Sequence, residues 1–272
     1  MTTVQRSSAA TDSLPSPPAR PYDVVVLGAG RVGGSYARAL ERAGHTITAE
    51  LHRGDDPSPI ALADVVVIAV PDDVLGEAAG LVLRLARAGS VVVHTCGLAG
   101  IEPLADVGPL VAAVHPAAPI ASNDQSLDGV VFGVTCPPAL QDWVSAFVAD
   151  LGGTCVFIGE HDRPLYHAAL VMASNFPVAL AGDAAEAVGD HGVLVPLMRA
   201  MVDNIAALGP DAALTGPIAR GDVGTVRAHL AALPDHLRDV YVACARRTLA
   251  RARSARHITA GQAAAIEEAL GP

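Results

Sequence analysis

From Asp23 onward the chain alternates short β-branched apolar runs with longer segments of helical periodicity. Asp23-Val24-Val25-Val26-Leu27 predicts a strand that stops at glycine, and Tyr36 to Ala43 predicts a helix that ends at Gly44. His45 to Leu51, Asp64 to Val70 and Ser90 to His94 predict further strands, with helical stretches such as Val74 to Ala88 between them. Strands that alternate with helices imply right-handed crossovers and a parallel sheet. Val130 to Thr135 and Thr154 to Ile158, on either side of a helix over Ala139 to Leu151, extend that sheet.

The pattern changes near Pro164. Long alanine-rich helical segments follow: Leu165 to Val188, Leu194 to Leu208, Val223 to Ala232, Leu237 to Ala255 and Ala260 to Leu270. The expected organisation is a tail over residues 1–20, a sheet domain over 21–160 and a helical domain over 161–272, with the boundary near Gly159 to Arg163. At roughly 100–200 residues per domain, 272 residues suit two domains. The tail is rich in Ser, Thr, Ala and Pro and lacks the apolar run of a secretory signal, so it reads as disordered.

Composition refines this picture. Half the residues are apolar (51%) but only 3% are aromatic, so the core must be built from Ala, Val, Leu and Ile. A formal charge of −10 without a Lys/Arg run argues against a nucleic-acid partner, which would need a basic face. Val65 to Val70, read as the most apolar stretch, falls short of the ~20 residues that cross a bilayer. A soluble, cytoplasmic protein is expected. Cys96, Cys136, Cys155 and Cys244 are widely spaced, with no C-x-x-C pair to hold a metal, and read as buried free thiols.

Gly28-Ala29-Gly30-Arg31-Val32-Gly33 follows the first strand and opens the first helix, the setting in which G-x-G-x-x-G signals dinucleotide binding. The first glycine permits the turn, the second lets backbone approach a pyrophosphate, and the third lets helix and strand pack closely. Free amides at the helix start receive the anion. The fold class is therefore α/β, a Rossmann-type parallel sheet domain followed by an all-helical C-terminal domain. At the end of the second strand, Glu50 is a candidate acceptor for the 2′-hydroxyl of NAD. Arg53 stands nearer the terminus and, with Arg31, can clamp a 2′-phosphate, which favours NADP over NAD. Asp64 to Asp73 carries a proline turn to the carboxyl edge of the sheet, where Val70 and Pro71 can cover the cofactor and Asp72 or Asp73 can cap the next helix.

Candidate chemistry follows further along. His94-Thr95-Cys96-Gly97 and His115-Pro116 lie near the same edge, and each histidine is either a proton donor or carboxylate partner, or a group that fixes a loop. In His167-Ala168-Ala169-Leu170-Val171-Met172-Ala173-Ser174-Asn175, positions 167, 171 and 175 share a helix face, so two polar groups sit on an otherwise apolar segment. Leu214-Thr215-Gly216-Pro217-Ile218-Ala219-Arg220-Gly221-Asp222 reads as a loop that presents Arg220 to a substrate carboxylate, with Asp222 orienting that guanidinium or capping the next helix; an internal Arg–Asp turn is the alternative.

Taken together, these motifs resemble a bacterial family that joins a Rossmann-like domain to a C-terminal domain of unknown function, similar to β-hydroxyacid dehydrogenases, ketopantoate reductases and pyrroline-5-carboxylate reductases. The resemblance spans nearly all of the chain after the tail, and its most specific motif is the 214–222 loop. It implies an NADP-dependent reductase of a small 2-oxo acid, with ketopantoate as the foremost substrate. In such enzymes a catalytic Lys precedes the helix Asn by four residues. Asn175 matches but Val171 replaces the lysine, and Cys96 stands where relatives have serine.

His167, one turn before Val171, is the substitute proton donor, with Asn175 and Thr215 on the carbonyl, Arg220 on the carboxylate and His115 as a further site residue. The missing lysine keeps two alternatives open: reduction of a cyclic imine, and a dinucleotide-binding sensor without catalysis. Flat, small-residue helix faces point to a homodimer.

Overall fold

The computed structural model describes residues 18–271 of the chain. The tail expected over residues 1–20 lies outside the described residues up to residue 17. Two compact units are present, one ending at Ser174 and the other beginning at Asn175.

In the first unit, strands β1 (Asp23–Leu27), β2 (Thr46–Leu51), β3 (Val65–Ile68), β4 (Val91–His94), β5 (Val111–Pro116), β6 (Val131–Thr135) and β7 (Thr154–Phe157) form one sheet. Its order is β2-β1-β3-β4-β5-β6-β7. The order reverses between β1 and β3, the switch point outside which α/β sheets bind ligands. Alternate residues of the buried strands feed two cores. Val24, Val26, Val65, Val67, Val91 and Val93 pack on one face with Tyr36 and Leu40 of helix α1 (Arg31–Arg42) and with Trp143 and Phe147 of α3 (Gln141–Asp150). Val25, Val66, Ile68 and Val92 pack on the other with Leu75 and Val82 of α2 (Leu75–Leu85). A sheet covered on both faces explains why its strands read as unbroken Val/Ile runs rather than as alternating ones.

Two sequence expectations need correction here. Val111–Pro116, which is not among the strands expected from the sequence, is β5. The sheet is also not wholly parallel, because β5 and β6 pair antiparallel, from Ala113 opposite Thr135 to Pro116 opposite Phe132.

Helix α4 (Arg163–Val188) spans the division between the units. The sequence places the change of character at Gly159 to Arg163, whereas the first turns of α4 are anchored in the sheet by Arg163, which is fully buried. The division falls just before Pro177, whose missing N–H leaves the Ala173 carbonyl without its helical donor. In the second unit, α6 (Pro217–Arg220), α7 (Val223–Ala232), α8 (Asp235–Ser254) and α9 (Ala260–Leu270) share a core of Ile218, Val226, Ala245, Leu249, Ala263 and Ile266. Helix α5 (Leu194–Leu208) contributes no buried residue. The segment Glu160–Val188 is long and apolar enough to cross a membrane by length and composition, a property the expected Val65 to Val70 stretch lacks. Its first turns, however, are tied to the sheet through Arg163.

Candidate functional site

The glycine loop is built for close backbone approach. Gly28 has a φ of +100°, and a Cβ there would lie 2.5 Å from the Ala69 carbonyl oxygen. At Gly33 a Cβ would overlap the Gly28 carbonyl, so only glycine lets α1 start this close to β1. Gly30 differs from both: its Cβ would meet no atom within 4 Å. The space in front of it is therefore open. Helix α1 begins there with no side-chain cap and no acidic residue in its first turn, so its leading amides are available to an anion. An open cradle facing uncapped amides fits a pyrophosphate group.

Two cavities run along the carboxyl edge from this loop. One, of about 730 Å³, is lined by Gly28, Gly30, His52, Arg53, Val70 and Arg84 among others. The second, of about 440 Å³, is lined by Gly30, Arg31, Val32, Val70, Pro71, Asp72, Thr95, Gly97, His115 and His167. Gly30, Ala69, Val70 and Pro71 border both, so the cavities form one cleft with the glycine loop at its middle.

At the first end, Glu50 is engaged: its Oε1 accepts from Arg38 Nη2 at 2.7 Å. Of the residues at and after the end of β2 that line the cavity, among them His52 and Asp55, Arg53 carries the guanidinium. Arg31, the expected partner of Arg53, lines the second cavity rather than the first. Arg84 of α2 is the second guanidinium that lines this first cavity. It escaped the sequence reading because an arginine on an amphipathic helix looks like an ordinary solvated residue.

The middle of the cleft also departs from expectation. Asp72 and Asp73 do not cap α2, whose N-cap is Val74 without a side-chain bond. They lie instead in a single 3₁₀ turn, with Asp72 lining one cavity and Asp73 the other. Burial pushes the Cys96 thiol up, the Ala99 amide opposes this, and Asp72 adds to it. Cys96 is buried and its Sγ accepts from the Ala99 N–H at 3.3 Å. The four cysteines are free, but only Cys96 of the four is buried: Cys136 and Cys155 are half-buried and Cys244 is exposed.

The two candidate histidines of the sheet separate by role. His94 is fully buried. Its Nδ1 accepts from the Cys96 N–H at 3.2 Å, so the ring proton resides on Nε2, which donates to the Gly100 carbonyl at 2.6 Å. Burial drives its pKa down to about 4. His94 thus fixes the loop after β4, and Glu160 fixes the same loop from outside by accepting from the Ile101 and Glu102 amides at 2.8 and 3.1 Å. His115, by contrast, lines the cleft. Its ring stands perpendicular to that of His167, with centroids 6.0 Å apart. Gly97 lies against both rings, and a Cβ there would be 2.8 Å from His115 Nε2 and 2.8 Å from His167 Cδ2. The absence of a side chain at 97 keeps the space between the histidines open.

Asn175, Thr215 and Arg220 belong to the second unit. Asn175 continues α4. Part of the 214–222 loop is helical, since α6 occupies Pro217–Arg220, and buried Ile218 and Ala219 anchor it while Thr215 and Arg220 stay exposed. Asp222 is the N-cap of α7: its Oδ1 accepts from the Thr225 N–H at 3.0 Å and its Oδ2 from the Thr225 hydroxyl at 2.6 Å. Of the two roles open to Asp222, capping is the one it performs. Those bonds hold its carboxyl below the usual range. Among the described residues, no group of three or more His, Cys, Asp or Glu side chains is placed to hold a metal ion.

Residues 130–248 match the profile of a family described as a domain of unknown function, DUF2520. No curated protein sequence matches the chain. Among solved structures, a candidate NADP oxidoreductase from Bacteroides fragilis is 21% identical, with a TM-score of 0.69 over 87% of this chain and 98% of that one. A protein from Thermotoga maritima is 23% identical, with a TM-score of 0.65 over 86% and 99%. A reductive aminase from Aspergillus terreus, in complex with NADPH and ethyl levulinate, is 16% identical, with a TM-score of 0.61 over 91% and 99%. At these identities the likeness is one of fold, and it extends over both parts of the chain. Together with the DUF2520 match, it agrees with the Rossmann-plus-C-terminal-domain family that the motifs resemble.

Proposed function

We propose that this chain, a Rossmann-type unit joined to a DUF2520 domain, is a dinucleotide-dependent oxidoreductase that reduces a small 2-oxo acid and prefers NADP to NAD. The observation that carries this reading is the single cleft along the carboxyl edge. It offers two guanidinium groups at one end, the open Gly30 cradle in its middle and two facing histidines at the other. That is the order in which an adenosine 2′-phosphate, a pyrophosphate and a reacting centre follow one another along a dinucleotide. The fold it shares with a candidate NADP oxidoreductase and an NADPH-bound reductive aminase supports the same cofactor class.

When bound, the reduced nicotinamide supplies the hydride. Arg53 and Arg84 hold the 2′-phosphate by charge-assisted bonds, while Val70 and Pro71 cover the cofactor's middle. His167 delivers the proton that completes the hydroxyl, in place of the lysine replaced by Val171. By the resemblance of their motifs alone, Asn175 and Thr215 are assigned to the carbonyl group and Arg220 to the carboxylate. Ketopantoate is the first substrate to test. Oxidation of NADPH and NADH would be followed with ketopantoate, oxaloacetate and 2-oxobutyrate; the expected result is turnover of at least one with NADPH, and no turnover of any would refute the reading.

Valine at 171 favours one alternative, reduction of an imine, which arrives protonated and needs less from a protein acid. A cyclic imine offered with NADPH distinguishes the two. If NADPH binds but neither substrate class reacts, and His167→Ala changes nothing measurable, the chain is a dinucleotide sensor.

A homodimer is part of the same proposal. Leu197, Val202, Ile205 and Leu208 of α5 are exposed, Leu197 by 65%, on a helix with no buried residue. Phe176, Val178 and Leu180 of α4 are exposed as well. An apolar surface of this kind on two helices calls for a protein partner, and a second copy supplies a matching one.

A further inference from the structure

The turn of α4 before His167 carries two residues that the proposed chemistry has not used. Arg163 is fully buried, and its Nε donates to Thr135 Oγ1 at 2.8 Å while its Nη2 donates to the carbonyls of Ala113 and Gly133 at 3.0 and 3.2 Å. Its Nη1 has no partner among the described residues. The guanidinium carbon lies 5.7 Å from the centre of the Tyr166 ring. Tyr166 in turn places its hydroxyl 3.0 Å from His115 Nδ1, with the two rings perpendicular. The hydroxyl reaches this position only because β6 has glycine at 133, where a Cβ would overlap the phenol oxygen.

The Tyr166–His115 bond runs from the phenol to the imidazole. Burial and then the Arg163 charge bring the His115 pKa down to about 4, so near neutral pH the ring carries one proton. Burial raises the Tyr166 pKa, so the phenol keeps its own proton. Among the described residues the phenol oxygen has one hydrogen-bond partner able to take its proton, His115 Nδ1, so with Nδ1–H as the donor the phenol proton would have no protein acceptor. The O–H therefore points at Nδ1, and the ring proton moves to Nε2. That nitrogen is the atom next to Gly97, at the cleft end bordered by Thr95 and His167.

We propose that Tyr166 is a positioning residue that fixes the ring proton of His115 on Nε2, so that His115 serves as a neutral hydrogen-bond donor to the carbonyl oxygen of the substrate. The inference rests on the reductase reading and gives His115 a role distinct from that of His167. As hydride adds to the carbonyl carbon, the C=O π pair moves onto oxygen. His115 Nε2–H stabilises that oxygen without giving up its proton, and the proton that completes the hydroxyl comes from His167. A neutral imidazole suits this part because it polarises the carbonyl without transferring a proton early. Arg163 acts through the pair, as a buried positive charge that disfavours a second proton on His115.

The test reads the tautomer directly, without cofactor or substrate. A long-range ¹H–¹⁵N spectrum of the full chain labelled with ¹⁵N-histidine at pH 7, with His115 assigned through a His115→Asn variant, is expected to show the Nε2–H pattern for His115. In Tyr166→Phe that pattern is expected to give way to a mixture of tautomers. An Nδ1–H pattern in the native chain, or an unchanged pattern in Tyr166→Phe, would overturn the proposal. With whichever substrate turns over, Tyr166→Phe is expected to lower kcat about tenfold with the dissociation constant of the cofactor unchanged, and a kcat within twofold of the native value would overturn the catalytic half. Because the spectra need no dinucleotide, they decide the tautomer even if the reductase reading fails.

Discussion

His94 makes the stability of the first unit depend on pH in a way that can be isolated. Both ring nitrogens are committed in the neutral form, Nδ1 as acceptor from Cys96 and Nε2 as donor to Gly100. Protonation would turn the Nδ1 bond into a clash of two donors inside a fully buried site. The folded pKa is about 4, against an ordinary value of 6.5. The unfolded chain therefore takes up the proton first, and the stabilisation is complete above pH 6.5 and is lost as pH falls toward 4. At about 1.4 kcal/mol per pH unit, the loss accumulated by pH 4 is about 3 kcal/mol. Urea unfolding of the native chain and of His94→Asn, each at a series of pH values from 7 to 4, separates this contribution from that of every other group. The variant starts less stable, having lost the loop bonds, but its stability should fall by about 3 kcal/mol less across the window. Equal falls in both proteins would refute the argument.

Three further outcomes follow from the cleft and the helices. Gly30→Ala should leave unfolding free energy within about 0.5 kcal/mol of the native value, because its Cβ meets nothing, yet weaken NADPH binding at least tenfold in a fluorescence titration; Gly33→Ala, which forces overlap with the Gly28 carbonyl, should cost stability first. Arg84→Gln should weaken NADPH about tenfold while leaving NADH unaffected, as measured by calorimetric titration, and an equal effect on both cofactors would place Arg84 elsewhere than at the 2′-phosphate. Leu197→Glu combined with Ile205→Glu should convert a dimer to monomers in sedimentation velocity, and a native chain that sediments as a monomer would remove the dimer proposal.

How much of this the sequence discloses depends on whether the determining contact is local. The glycine loop is legible because its glycines answer to a local turn or to a close neighbour: Gly28 to its φ of +100° and to Ala69 after the adjacent strand, Gly33 to the Gly28 carbonyl. The capping of α7 by Asp222 is legible for the same reason, since Thr225 is its partner three residues on. Strand β5 was missed because its alanines carry little β-propensity, and its burial comes from β4 and β6, which are remote in sequence. Asp72 and Asp73 read as caps because acidic residues before a helix usually are, but here a 3₁₀ turn intervenes and turns them toward the cleft.

The His115 network was the hardest part to see, because its members come from β5, β6 and α4 and meet only once the sheet has formed. A signal was nevertheless present. Gly133 sits inside a strand, where glycine loses both side-chain packing and conformational entropy, and a residue that weakens its own strand implies that something must approach the backbone there. In the fold, that something is the Tyr166 hydroxyl. Gly97 and Gly100 make the same point in a loop: one is met by His115 and His167, the other by the Glu160 carboxylate. In each case the glycine marks the spot and the arriving side chain carries the chemistry. Gly97→Ala should fold as the native chain does once the His115 and His167 rings give way. Its Cβ would then occupy the gap between Nε2 and the carbonyl oxygen, so kcat should fall further than KM rises. A variant with native kcat would mean that the substrate does not enter between the two histidines.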